Sequence, residues 1–344
     1  MAERVGFVGV GLMGHGMAHN ILTKGHPLTV IAHRRREAVN DLVARGAHEA
    51  ATLTELAERS DVVVLCLTGS PQVEETVGGL LPGLRSGESL VIDCSTSDPV
   101  STDRLGAMLR ARGIGLVDAP LSRTPKEAWE GTLDVMMGAE DRDLARAERI
   151  LRLFAARILH VGGPGAGHRM KLINNFISLG YGALYAEALA LARKAGIGVA
   201  AFDSVIRDGR MDCAFYRTFM GYALEGNREA HRFTLSNAAK DLRYLEAMAN
   251  AAGVPTTLAS AVKNSYVEAV AAGRRGAGGL CAPSGGFRRA AKRGLRRASP
   301  GDRAAPRLGA RGTEQSRPAG APLVVAELSH HIRPAARERS SGDA

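Results

Sequence analysis

The sequence predicts a doubly wound α/β domain followed by an all-α domain, and three observations carry that prediction. First, over residues 1–163 short runs of Val, Ile and Leu alternate with helix-patterned stretches. Apolar strands separated by helices belong to a parallel sheet covered on both faces. Second, Gly162-Gly163-Pro164-Gly165 ends that pattern, and over residues 166–272 only helical periodicity remains. Third, the composition shifts after Gly273: of the 71 residues beyond it, 9 are Leu, Ile, Val or Phe, too few for a packed core. The chain therefore divides into 1–163, 164–273 and a tail, 274–344, expected to have little fixed structure.

Each element follows from its own pattern. Strands are expected at residues 4–10, 28–32, 61–67, 89–93, 115–119, 133–137 and 157–161, where β-branched and other apolar residues run together. Amphipathic helices are expected between them at 13–24, 35–45, 71–81, 99–112 and 141–154. In the second domain, residues 168–195 read as one helix of nearly thirty residues, long enough to bridge domains or subunits. Further helices are expected at 200–207, 214–224, 235–252 and 258–272.

Charge excludes less than it first suggests. The 344 residues hold 45 Lys and Arg against 35 Asp and Glu, a net charge of +10 that invites a nucleic-acid partner. Residues 1–273 carry 30 of each sign, so the body is neutral and the whole excess lies in the tail. Nucleic acid is therefore not the expected partner of the body. Cys66, Cys94, Cys213 and Cys281 are far apart and form no CxxC pair, which suits a reducing, cytoplasmic setting and argues against structural zinc. His15 and His19, four apart, lack a third ligand, so no metal is expected. No apolar run approaches the roughly 18–20 residues of a membrane span.

Gly9-Val10-Gly11-Leu12-Met13-Gly14 is a G-x-G-x-x-G placed between the first strand and the first helix. In that setting it is a dinucleotide-binding loop: Gly9 allows the tight turn, Gly11 the close approach of a pyrophosphate, and Gly14 the helix–strand packing. The helix start, with Leu12 and Met13, offers free N–H groups to the phosphates. The second strand ends at Ala32-His33-Arg34-Arg35-Arg36. An NAD site carries an acidic residue about 20 positions beyond the fingerprint. Here Arg34, flanked by His33 and Arg35, stands in that place, so NADP is favoured over NAD. A solvated helix start is the alternative reading of the arginines.

Four motifs together resemble the β-hydroxyacid dehydrogenase family, which includes 3-hydroxyisobutyrate dehydrogenases and tartronate semialdehyde reductases. They are residues 6–14 followed by Met17, Ala18 and Asn20; Asp118-Ala119-Pro120-Leu121-Ser122 with Gly131-Thr132-Leu133; Gly165-Ala166-Gly167 leading to Lys171-Leu172-Ile173-Asn174-Asn175; and Lys240-Asp241-Leu242. The resemblance spans residues 4–273. It implies a Rossmann-type first domain, a helical second domain for substrate binding and dimerisation, a site in the cleft between them, and a homodimer or homotetramer. It also implies NAD(P)-dependent interconversion of a small 3-hydroxy acid and its semialdehyde.

The resemblance makes Lys171 the general acid/base and Asn175 the group that orients substrate, with Asn174 beside it. Lys171 and Asn175 are four apart and share a helix face. A positioned ammonium neutralises the alkoxide that hydride addition creates. Ser95 and Thr96 would contact the nicotinamide ribose, a plain ST-turn being the alternative. Lys240 and Asp241 would be the family's cofactor-closing pair, with Lys240 near the nicotinamide end, against a surface pairing of these two with Arg243 or Glu246. Many members have Ser-Gly-Gly where this chain has Ser122-Arg123-Thr124, a run similar to the sulfolactaldehyde reductase branch. Ser122, Arg123 and Thr124 are therefore expected to hold a small anionic semialdehyde or hydroxy acid. Arg123 would serve as a bidentate anion clamp, or else pair with Glu127.

The family continues past this point into a last helix, whereas this chain turns abruptly to Arg, Ala, Gly and Pro. Out-of-frame translation of GC-rich DNA gives such a composition, so a frameshift near codon 274 and loss of the last helix are the expectation. The rival function is a catalytically impaired family member, binding dinucleotide through its first domain and nucleic acid through its tail.

Overall fold

In the computed structural model, residues 2–33, 36–227, 230 and 233–273 are described. The expectations placed on Arg34, Arg35 and residues 274–344, the missing last helix included, lie outside the described residues.

Nine strands are present among the described residues: β1 (Val5–Val8), β2 (Leu28–Val30), β3 (His48–Glu49), β4 (Val62–Leu65), β5 (Leu90–Asp93), β6 (Gly115–Asp118), β7 (Leu121–Ser122), β8 (Leu133–Gly138) and β9 (Ala155–Gly162). They form one sheet in the order β3-β2-β1-β4-β5-β6-β8-β7, with β9 also paired to β8. Strands β1 to β6 are parallel, as the apolar runs predict for all but the unexpected β3, and so is the β8–β9 pair. Strand β8 runs antiparallel to β6 and β7.

Seven helices accompany the sheet: α1 (Gly14–Thr23), α2 (Glu37–Ala44), α3 (Leu53–Glu58), α4 (Ser70–Leu80), α5 (Pro99–Arg110), α6 (Pro125–Glu130) and α7 (Asp141–Leu151). The strands alternate side chains between two cores. Val5, Phe7, Val62, Val64 and Ile92 pack on the face covered by Met17, Ile21 and Ile150. Val8, Val63, Leu65 and Val91 pack on the other face, under Val73, Leu80 and Leu105. Two-sided burial is why these strands read as continuous apolar runs.

Five helices complete the described chain: α8 (Ala166–Lys194), α9 (Val199–Ile206), α10 (Ala214–Glu225), α11 (Leu235–Ala251) and α12 (Thr257–Ala271). Helix α8 packs on β6, β8 and β9 at its start and on α9 to α12 beyond. Leu172, Leu179, Leu242 and Val262 form one core of this part, and Tyr216, Phe219 and Met220 form another. Helix α11 also packs on α5, which brings the two halves of the site together. No helix of the described residues is long and apolar enough to cross a membrane.

Candidate active site

The sheet order reverses at β1, whose neighbours are β2 and β4. Open α/β sheets bind ligands outside the carboxyl ends of the strands at such a switch point. The glycine loop lies there. Gly9 has a φ of 101°, in the left-handed region, and a Cβ on it would stand 2.2 Å from the Cys66 carbonyl oxygen. A Cβ on Gly14 would stand 2.1 Å from the Gly9 carbonyl oxygen. Around Gly11 there is open space. Helix α1 begins after Met13 without a side-chain cap, and its first turn closes on the loop through the His15 N–H, which donates to the Gly11 carbonyl oxygen at 3.0 Å. This cradle fits a dinucleotide pyrophosphate. Leu12 is exposed at the loop's tip, and His33 is exposed where β2 ends. Of the two histidines on α1, His15 pairs with Asp41 at 2.9 Å and His19 stacks on Trp129 with 4.2 Å between ring centres.

The loop after β5 forms the next wall. Asp93 accepts hydrogen bonds from the Ser95 N–H at 2.9 Å and the Ser97 hydroxyl at 2.8 Å. The buried Ser95 hydroxyl accepts the Leu67 N–H at 2.9 Å, tying together the loops that follow β4 and β5. Across the cleft, Lys240 of α11 donates from Nζ to the Thr96 carbonyl oxygen at 2.8 Å. Lys240 also lies 4.8 Å over the ring of Tyr244, whose hydroxyl accepts the Ser70 N–H at 3.2 Å. The surface pairing considered for Lys240 does not form: Glu246 is held by Lys263 at 2.7 Å. Helix α11 is thus stapled to the loops at the carboxyl ends of β4 and β5.

Helix α8 brings in the central pair. Lys171 is half-buried and Asn175 is buried one turn later on the same face. Asn175 donates from Nδ2 to Asp241 Oδ2 at 2.7 Å. Asp241, 2% exposed, also has Oδ1 at 2.9 Å from Lys240 Nζ, an ion pair without hydrogen-bond alignment. Burial holds the Lys171 ammonium below its ordinary range; Asp241 pulls it back up, and Lys240 pushes it further down. A cation desolvated in this way gives up its proton more readily than a surface lysine does. The sequence marks Asp241 with Lys240 as part of a motif, but not its bond to Asn175, which lies 66 residues away.

The Ser122-Arg123-Thr124 segment lies at the exposed rim. Ser122 pairs with Asp134 in the β7–β8 register. Arg123 adopts a φ of 86°, where glycine is the easy residue. Its Nε donates to Asp134 Oδ2 at 2.9 Å, and not to the Glu127 weighed from the sequence. The Thr124 hydroxyl donates to Glu127 Oε2 at 2.5 Å and caps α6 by accepting from Lys126 N–H at 3.3 Å. Asn174 is half-buried on α8.

Among the described residues, the fold and cleft define a dinucleotide-dependent oxidoreductase class, and comparison with known proteins makes it specific. The model of the NAD binding domain of 6-phosphogluconate dehydrogenase matches residues 4–162. The model described as NAD-binding of NADP-dependent 3-hydroxyisobutyrate dehydrogenase matches residues 165–280. The chain is 35% identical to the 3-sulfolactaldehyde reductase of Escherichia coli over 277 residues, 78% of this chain and 91% of that protein. It is 32% identical over 271 residues to the 3-hydroxyisobutyrate dehydrogenase of Pseudomonas aeruginosa, covering 76% and 90% of the two chains. Among solved structures, the Mycobacterium tuberculosis 3-hydroxyisobutyrate dehydrogenase with L-serine superposes with a TM-score of 0.75 at 26% identity, covering 84% of this chain and all of that one.

The chain belongs to the β-hydroxyacid dehydrogenase family, nearest its sulfolactaldehyde reductase branch. It is an NAD(P)-dependent hydroxyacid dehydrogenase.

Proposed function

We propose that this enzyme uses NADP(H) to interconvert a small anionic 3-hydroxy acid and its semialdehyde, with Lys171 as general acid/base. The observation that carries the reading is the desolvated Lys171 ammonium set beside the Asn175–Asp241 pair in the cleft. Residues 1–163 form the dinucleotide-binding part and 164–273 the substrate and dimerisation part. When bound, the nicotinamide supplies or accepts the hydride. Gly9, Gly11, Leu12, Met13 and Gly14 hold the pyrophosphate, and Ser95, Thr96 and Lys240 line the nicotinamide end. His33, Arg34 and Arg35 recognise the adenosine ribose, with Arg34 taking the 2′-phosphate.

In the reductive direction Lys171 Nζ gives its proton to the carbonyl oxygen as that oxygen becomes an alkoxide. In the oxidative direction neutral Lys171 removes the hydroxyl proton. Asn175, its amide held by Asp241, keeps the substrate oxygen within reach of Nζ. Ser122, Arg123, Thr124 and Asn174 surround the substrate's anionic end. With Nε on Asp134, Arg123 has its two terminal nitrogens left to fork onto a carboxylate or sulfonate. A cytoplasmic homodimer or homotetramer completes the proposal, supported by the exposed apolar side chains Ile177, Tyr181 and Leu184 along α8.

The experiment is a turnover screen of 3-sulfolactaldehyde and the semialdehyde of 3-hydroxyisobutyrate with NADPH and with NADH. The expected result is a higher kcat/KM with NADPH than with NADH; equal values contradict the role given to Arg34. Arg123→Ala is expected to raise KM for the preferred aldehyde by about 10- to 100-fold, the worth of a charge-assisted pair, with kcat changed less. An unchanged KM removes Arg123 from the substrate site.

A further inference from the structure

His168 is fully buried, and the proton-transfer chemistry makes no use of it. It sits in the first turns of α8, three residues before Lys171 and seven before Asn175, so the three share one helix face. Through its ring and its backbone N–H it joins three further parts of the fold. Nε2 lies 3.2 Å from the Ser95 carbonyl oxygen, which can only accept, so Nε2 carries a proton and donates it there. Nδ1 lies 2.8 Å from the Thr102 hydroxyl on α5. Its backbone N–H donates to Asp118 Oδ2 at 2.7 Å, at the end of β6. The carboxylates of Asp93 and Asp118 stand 3.7 and 3.9 Å from the ring nitrogens.

The bond to Ser95 has a geometric consequence. In a trans peptide the carbonyl and the next N–H lie in one plane and point in opposite directions. With the Ser95 carbonyl aimed at His168, the Thr96 N–H is aimed away from α8. The other edge of Thr96, its carbonyl, is taken by Lys240 at 2.8 Å. The backbone around Thr96 is therefore fixed from α8 through one bond and from α11 through another.

We propose that His168 is a positioning residue that couples the proton-transfer helix to the cofactor loop: by holding the Ser95 carbonyl it presents the Thr96 peptide to the dinucleotide and keeps that loop in register with Lys171. The inference rests on the hydride-transfer reading above. A histidine serving only to fill the core would need no donor at Nε2, and an apolar ring of similar volume would replace it.

The test compares His168→Gln, His168→Asn and His168→Leu with wild type. Glutamine places an N–H near the position of Nε2, asparagine reaches only as far as Nδ1, and leucine has no donor. Three quantities are read: the dissociation constant of NADPH by fluorescence titration, kcat and KM for the preferred aldehyde, and Tm. Glutamine is expected to keep the NADPH dissociation constant within about twofold of wild type. Asparagine and leucine are expected to raise it about tenfold and to lower kcat about tenfold, the scale of one buried, unmatched carbonyl. If leucine fails to fold, the glutamine–asparagine contrast carries the test. Variants that lower Tm alike while leaving the NADPH constant and kcat at wild-type values overturn the proposal, because His168 is then a core residue only. Failure of the wild type to bind either NADPH or NADH overturns instead the reading on which it rests.

Discussion

Replacing Lys171 by alanine lowers kcat about a thousandfold in both directions, within the 10²- to 10⁴-fold range of general acid–base catalysis. The same variant binds NADPH with an unchanged dissociation constant, because no phosphate- or ribose-facing group is altered. Its Tm stays level or rises: a desolvated ammonium costs stability in the folded state, and burial is what lowers the Lys171 pKa. The combination is diagnostic. Lost turnover with intact cofactor binding and intact fold assigns the proton transfer to Lys171. Steady-state kinetics in both directions, with a fluorescence titration and a melting curve, supply the three readouts. Turnover equal to wild type refutes the role.

Asp241→Asn moves both pH limbs of the reaction towards acid. Asp241 raises the Lys171 pKa, opposing burial and Lys240, which lower it. An amide at 241 still accepts the Asn175 hydrogen bond seen at 2.7 Å, so geometry is kept while charge is removed. Reduction requires protonated Lys171, so its rate falls as pH rises through the Lys171 pKa. Oxidation requires the neutral amine, so its rate rises over the same interval. Lowering that pKa shifts the falling limb of reduction and the rising limb of oxidation to lower pH together. Profiles of kcat against pH in both directions check this. A shift towards alkali, or of one limb only, means that Asp241 does not set the charge state of Lys171.

Most elements were legible because their patterns are long. The helical period over 168–195 marks α8, which spans Ala166–Lys194, and buried apolar runs mark β1, β4 and β5. Strands β3 and β7 hold two residues each, too short to display a period. Helices α3 and α6 hold six residues each and escaped for the same reason. Their caps were nevertheless written in the chain: Thr52 caps α3 through Glu55 N–H, and Thr124 forms a capping box with Glu127. Reading Thr-x-x-Glu as a start signal would have found both.

The site was legible where its residues are neighbours in sequence. The glycine loop and the Lys171–Asn175 spacing are local patterns. The partner of Arg123 was not, since Asp134 comes opposite Ser122 only through the β7–β8 register. His168 was silent for a stronger reason. Its partners Ser95, Thr102 and Asp118 belong to three elements, and the sheet order and the lie of α8 bring them together. Non-local polar networks leave no periodic trace in a sequence; a histidine one turn before a motif lysine was the only sign.

The central claim is hydride transfer between the nicotinamide and a small anionic aldehyde in this cleft. NADPH labelled with deuterium at C4, prepared separately in each of its two stereochemical forms, tests it with the aldehyde that the screen turns over best. The account predicts one deuterium on the carbinol carbon of the product from one labelled form and none from the other. Product without deuterium from either form contradicts it.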